Sequence, residues 1–171
     1  MLSESARMTT AHEASFRVQY PNSKPRAARI IALDKPSAAL VNEISRLPWN
    51  GAKFFTSLSF AASSDPGVTS DGMKAWLGDI AGRTMELVDE VAESDFVVLI
   101  TAAGEDARAA SVIAKACKAH HKTLVGIVLP KDGASEDDVA TSLEYLRPHT
   151  RMLVVASGQD YVETMLTALR A

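Results

Sequence analysis

Acidic side chains follow most of the apolar runs in this 171-residue chain, and carboxylates in such loops can do two kinds of ligand chemistry. They can coordinate a hard divalent cation, or they can recognise a ligand that carries amines. A third interpretation is that several of them are helix caps and turn residues, positions that favour aspartate. The acids concerned are Asp34, Asp65, Asp71, Asp79, Glu105, Asp106, Asp132 and Asp160.

Basic and hydroxyl side chains in the same loops favour a different ligand, an anion. Arg108 directly precedes an Ala-rich segment, and the N-terminus of a helix there would assist anion binding. Lys131 follows another apolar run, and the loop hydroxyls can donate hydrogen bonds. No serine lies in a Gly-x-Ser-x-Gly pattern, which would have indicated a catalytic nucleophile. No catalytic residue, cofactor or metal site is assigned. The ligand-binding candidates are Asp34, Lys35, Ser37, Asn42, Thr101, Gly104, Glu105, Asp106 and Arg108.

The single cysteine and the paired histidines are interpreted as structural residues. Cys117 follows Ile113 and Ala114 at helical spacing, which predicts a small buried apolar residue. His120 and His121 are adjacent, so they point in different directions, and at a helix end they complement its dipole. One cysteine also excludes an internal disulfide and a multi-thiolate metal site.

Strand and helix patterns alternate along the chain, and this alternation positions the loops. Residues 96–100 are five consecutive apolar residues, a pattern typical of a strand buried on both faces. A short loop and an Ala-rich helix to about residue 120 follow. The predicted fold class is α/β, a three-layer α/β/α arrangement with a mostly parallel sheet of about six strands. Further strands are predicted at residues 28–33, 53–60, 73–77, 123–129 and 151–155.

The segment after the second strand carries weaker signals. Residues 61–72 are rich in Ser, Asp, Pro and Gly, which predicts a surface loop. Asp79 is expected to cap a helix that continues to Val91. Its acids are interpreted as a solvated face, and they are Glu86, Asp89, Glu90 and Glu93.

Several segments between residues 27 and 160 have an order and spacing that resemble the amino-terminal GTP-binding domain of the FtsZ/tubulin family. The strongest is Ser-Asp-Phe-Val-Val-Leu-Ile-Thr-Ala at 94–102, followed by Ala-Ala-Ser-Val-Ile-Ala-Lys-Ala at 109–116 and Lys-Thr-Leu-Val-Gly-Ile-Val at 122–128. The resemblance implies one Rossmann-like domain over residues 27–171. Prolines at 21 and 25 among small polar residues predict a flexible polar leader at 1–26. The other segments are 28–30, 39–44, 53–56, 76–79, 143–146 and 150–155.

The glycine-rich nucleotide loops of that family are degenerate in this chain. The family's phosphate loop reads Gly-Gly-Gly-Thr-Gly-Thr-Gly, whereas residues 103–108 read Ala-Gly-Glu-Asp-Ala-Arg. Glycines let backbone amides wrap a phosphate, and Glu105 and Asp106 would instead oppose it. The resemblance therefore implies a ligand-binding or protein-interaction module without GTPase activity. The alternative is a small enzyme or nucleotide-binding protein that uses the loops at the C-terminal ends of the strands.

Composition limits the expected partners. A formal charge of −3 gives no reason to expect nucleic acid or an anionic membrane as a partner. No apolar run approaches the roughly 18 residues of a membrane-spanning helix, and no secretory signal opens the chain, which predicts a cytoplasmic protein. The expected partners are a small-molecule or nucleotide ligand and a second copy or another protein.

Overall fold

The computed structural model describes residues 24–57, 76–79 and 84–171, and within them a seven-stranded sheet carries helices on both faces. The strands are β1 (Ala28–Ala32), β2 (Lys53–Thr56), β3 (Trp76–Asp79), β4 (Thr84–Glu86), β5 (Phe96–Ala102), β6 (Thr123–Leu129) and β7 (Met152–Val155). The helices are α1 (Lys35–Ile44), α2 (Leu87–Ala92), α3 (Ala109–Ala119), α4 (Glu136–Leu146) and α5 (Gln159–Ala168).

The strand order is β4-β3-β2-β1-β5-β6-β7. Five neighbouring strands are parallel, namely β2, β1, β5, β6 and β7. Beyond β2, the strand β3 pairs antiparallel with β2, and β4 pairs antiparallel with β3. The predicted α/β class and mostly parallel, Rossmann-like sheet are therefore confirmed. The parallel part has five strands rather than about six, because the chain returns as an antiparallel hairpin before β5.

The layers of the fold follow from side-chain alternation along buried strands. All seven residues of β5 are buried. Ile30 and Val98 pack on one face with residues of α1 and α5, while Ile31 and Leu99 pack on the other with residues of α2, α3 and α4. Strands that are apolar on both faces need such covering layers, so the sheet forms the middle of three layers.

The region around α2 differs from the sequence-based expectation in two ways. Asp79 lies in β3 and caps no helix, and α2 begins only at Leu87. Glu90 is buried, and its Oε2 atom forms two ion pairs. It lies 2.7 Å from Arg29 Nε of β1 and 3.2 Å from Lys53 Nζ. The interpretation of a solvated acidic face is therefore wrong for Glu90, because α2 turns it towards a cation on the sheet.

Two expectations fall wholly or largely outside the described residues, namely the loop at 61–72 and the leader at 1–26. Of the leader, residues 24–26 are described, and the Arg26 guanidinium lies 4.5 Å from the Phe96 ring centroid. In the described part of the chain, each helix falls short of the length and apolar character needed to cross a bilayer.

Candidate functional site

Asp34 lies at the carboxyl ends of β1 and β5, where the strand order changes direction. It caps α1: the Ser37 backbone N–H donates to Asp34 Oδ1 at 2.8 Å, and the Asp34 N–H donates to Ser37 Oγ at 3.2 Å. Pro36 lies in the first turn, where a missing N–H is tolerated. Asp34 is thus the N-cap of α1, and Ser37 completes the capping box from the third position of the helix. Ligands of doubly wound sheets bind at such switch points, so this is the candidate site.

The second carboxylate oxygen of Asp34 joins the two central strands. Asp34 Oδ2 accepts hydrogen bonds from Thr101 Oγ1 at 2.8 Å and from the Ala102 N–H at 2.9 Å. Asp34 is only 5% exposed, and Ser37 and Thr101 are fully buried. The positive end of α1, where an external anion would otherwise bind, therefore holds a carboxylate of the protein itself.

The loop after β5 is fastened to neighbouring elements. The Gly104 N–H donates to Ser142 Oγ of α4 at 3.1 Å, and Gly104 has a φ of 76° that favours glycine. Glu105 forms an ion pair with Lys131, which follows β6. That carboxylate, with smaller effects of Asp34 and Asp138, raises the pKa of the Lys131 ammonium.

Asp106 and Arg108 form a separate exposed pair at the start of α3. Arg108 Nε and Nη2 donate to Asp106 Oδ2 at 2.8 and 2.6 Å. The guanidinium lowers the pKa of Asp106, and the carboxylate raises that of Arg108. Arg108, which the sequence favoured for anion binding, is 83% exposed at its side chain and has its charge matched by its neighbour.

The remaining candidates, Lys35 and Asn42, lie on α1. Lys35 is the first residue of α1, is exposed, and makes no ion pair with the described residues. Asn42 is exposed seven residues further on, which is about 10 Å along the helix axis. The structure thus brings Asp34, Ser37 and Thr101 together, with the Gly104–Glu105 loop beside them, and leaves Asn42 away from this group.

Two residues outside the predicted set contact the loop after β5. Lys131 pairs with Glu105, and its place directly after β6, a strand adjacent to β5, is a sequence signal for this contact. Ser142 gave no signal, because it is an interior residue of α4 and becomes relevant only through its contact with Gly104.

The described acids do not assemble into a metal site. No group of three or more His, Cys, Asp or Glu side chains among the described residues is placed to hold a metal ion. Asp65 and Asp71 lie outside the described residues, and Asp160 lies in the first turn of α5. At this edge Glu105 and Asp106 are each paired with a cation, and Asp34 is satisfied by three hydrogen bonds.

The chain matches no known protein-family model, and no curated protein matches it at a significant level. The FtsZ/tubulin resemblance therefore stays a prediction from the sequence.

Proposed function

We propose that this protein is a cytoplasmic binding module built on an FtsZ/tubulin-type Rossmann-like scaffold, without GTPase chemistry. Its ligand is a small molecule or a protein partner. One observation carries the proposal: the backbone amides that would have to hold a nucleotide phosphate already donate within the chain.

The amides concerned belong to residues 102–105 at the end of β5. The Ala102 N–H donates to Asp34 Oδ2, and the Gly104 N–H donates to Ser142 Oγ. The N–H groups of Ala103 and Glu105 donate to the carbonyls of Leu129 and Ala102, respectively. A phosphate at this loop would have to break these bonds before it could be cradled.

Electrostatics at the α1 N-terminus oppose a phosphate as well. Two unit negative charges 4 Å apart repel by about 4 kcal/mol at the effective dielectric of a protein surface. Asp34 places such a charge at the helix end. The occupied amides and the charge of Asp34 both support a scaffold that does not bind a triphosphate at this edge.

An enzyme reading has less support among the described residues. The Asp34 carboxylate accepts three hydrogen bonds, which leaves little capacity for a general base. Burial raises the pKa of the Cys117 thiol to about 12, so it is not a thiolate at neutral pH. Binding therefore accounts for the geometry with fewer requirements than catalysis.

Calorimetric titration with GTP, GDP and ATP, with and without magnesium, together with a phosphate-release assay, tests the proposal. We expect no turnover, and GTP bound no more tightly than inorganic triphosphate. Asp34→Asn, which keeps the size of the side chain and removes its charge, should not change the affinity for GTP. Micromolar GTP binding with turnover, lost in a Gly104→Asp variant that blocks the loop, would overturn the proposal.

A further inference from the structure

A cleft of about 540 Å³ opens at the amino ends of β6 and β7, at the edge of the sheet opposite Asp34. Its volume lies within the range of small-molecule sites. The second half of α3 and the segment that joins α4 to β7 form its walls. Six basic side chains line it, namely Lys115, Lys118, His121, Lys122, His149 and Arg151.

These basic groups have no acidic counterpart. Among the described residues, no Asp or Glu lines the cleft, and none of the six basic side chains makes an ion pair. The ends of α3 and α4 attract cations, but each helix end supplies only about half a negative charge. Three lysines and an arginine exceed that amount, so an excess of positive charge remains for an external anion.

The backbone at His121 ends α3 beside the cleft in the left-handed conformation. His121 has a φ of 54°, and the Lys122 N–H donates to the Cys117 carbonyl at 2.8 Å across the end of α3. This helix ending normally places glycine at the left-handed position. A histidine there is strained. Arg170 ends α5 in the same way, with a φ of 67°, so the strain belongs to the helix ending, and the unmatched cations are what indicate a ligand.

The cleft also has an apolar lining. It consists of Ala114, Cys117, Leu124 and Pro148, beside the hydroxyls of Ser111 and Thr123. Small-molecule sites combine such apolar surface with a few polar groups that fix orientation. The apolar lining can therefore hold the carbon portion of a ligand whose charges face the basic side chains.

We propose that this cleft binds a small organic molecule that carries two or more phosphate groups. A single phosphate would leave several cations unmatched. A nucleic acid is disfavoured, because the chain has a net charge of −3 and a pI near 5.8, whereas nucleic-acid binders carry an extended basic stripe. This site lies at the other edge of the sheet from Asp34 and does not depend on the proposed function above.

Calorimetric titration of the full chain with inorganic pyrophosphate and inorganic triphosphate, at low and at physiological salt, tests the proposal. We expect triphosphate to bind more tightly than pyrophosphate, and sulfate to bind weakest. Lys118→Ser/Lys122→Ser should weaken binding by about tenfold or more, since charge-assisted hydrogen bonds are lost. The matched control Lys24→Ser/Arg46→Ser removes the same charge from exposed positions outside the cleft and should change affinity less than twofold.

The remaining outcomes are also decisive. Equal loss in both double variants would show a general charge effect and overturn the proposal, as would sulfate binding as tightly as triphosphate. No binding of either phosphate probe at millimolar concentration would also overturn it, and binding of an oligonucleotide alone would assign the cleft to nucleic acid. GTP binding that disappears in Lys118→Ser/Lys122→Ser would place the nucleotide phosphates in the cleft and leave the absence of GTPase activity untouched.

His121→Gly guards against a folding artefact. Glycine relieves the backbone strain, so this variant should fold at least as stably as the parent and still bind triphosphate more weakly. A stable His121→Gly protein with unchanged affinity would remove His121 from the site.

Discussion

The two edges of the sheet treat charge in opposite ways. At the carboxyl edge, Asp34 is satisfied by three donors and Glu105 is paired with Lys131. At the amino edge of β6 and β7, Lys118 and Arg151 line a cleft without an acid. Charges matched inside the chain stabilise or shape the fold, whereas unmatched charges of one sign in a concave site are available to a ligand.

The difference between the two edges shows that the position of a loop in the sheet does not by itself identify a ligand site. The carboxyl edge is the usual ligand site of a doubly wound sheet, and loop position alone selects it. Whether that site can accept a phosphate depends on whether its amides and helix ends are still free, and here they are occupied by the protein. The opposite edge has no such rule in its favour, yet it holds the unmatched charge.

The largest change in the free energy of unfolding is expected from a substitution of Glu90, because Glu90 neutralises a buried cation. Glu90→Leu leaves the buried Arg29 guanidinium without its closest partner, and we expect a loss of about 3 kcal/mol of unfolding free energy in urea titrations. The exposed Asp89 on the same helix is the control, and Asp89→Ala should stay within about 0.5 kcal/mol.

The double variant Arg29→Leu/Glu90→Leu completes that experiment, because it removes both charges and should recover much of the stability. Glu90→Leu and Asp89→Ala with equal stability would mean that the pair contributes nothing. The distinction between matched and unmatched cations at the amino edge would then fail.

Asp34 comes next and tests the matched character of the carboxyl edge. Asp34→Ala removes a helix cap and leaves the buried Thr101 hydroxyl and Ala102 N–H without their acceptor, so we expect a loss of about 2–3 kcal/mol. Urea unfolding measures it, with Lys35→Ala as the exposed neighbour. If Asp34→Ala instead keeps its stability and binds triphosphate more tightly, the carboxylate of Asp34 serves to exclude anions from this site and does not stabilise the fold.

Local patterns predicted most elements of the sheet. The apolar runs identified β5 and β6, whose bounds agree closely with the predicted strands. Cys117 is 2% exposed, which agrees with its interpretation as a small buried apolar residue.

What the sequence could not supply depends on contacts between distant segments. Arg29 and Glu90 are 61 positions apart, and neither carries a local sign of burial. The antiparallel course of β3 and β4 depends on which edge of the sheet is free. The cleft combines Lys118 with Arg151 across two elements. The left-handed backbone of His121 has no sign in the local sequence, where glycine would have marked it.

A smaller effect of opposite sign is expected at His121. His121→Gly should raise the unfolding free energy by up to about 1 kcal/mol, because glycine adopts the left-handed conformation without strain. His120, with a φ of −101°, is the matched control, and His120→Gly should be neutral or destabilising. Urea titration of both variants distinguishes them; equal losses would show that the backbone at His121 stores no strain.

The smallest effect concerns the capping box of α4 near the carboxyl edge. Hydrogen bonds from the Ser135 N–H and hydroxyl lower the pKa of Asp138. A carboxyl with a lowered folded-state pKa stabilises the protein fully above its unfolded value of about 3.9, and this contribution is lost as the pH falls through the lowered pKa. Ser135→Ala should therefore cost about 0.5 kcal/mol near pH 7, and part of that difference should vanish as the pH falls below the unfolded value. Urea midpoints measured from neutral pH to below that value test it, and a difference that stays constant with pH would show that the charge of Asp138 plays no part in the cap.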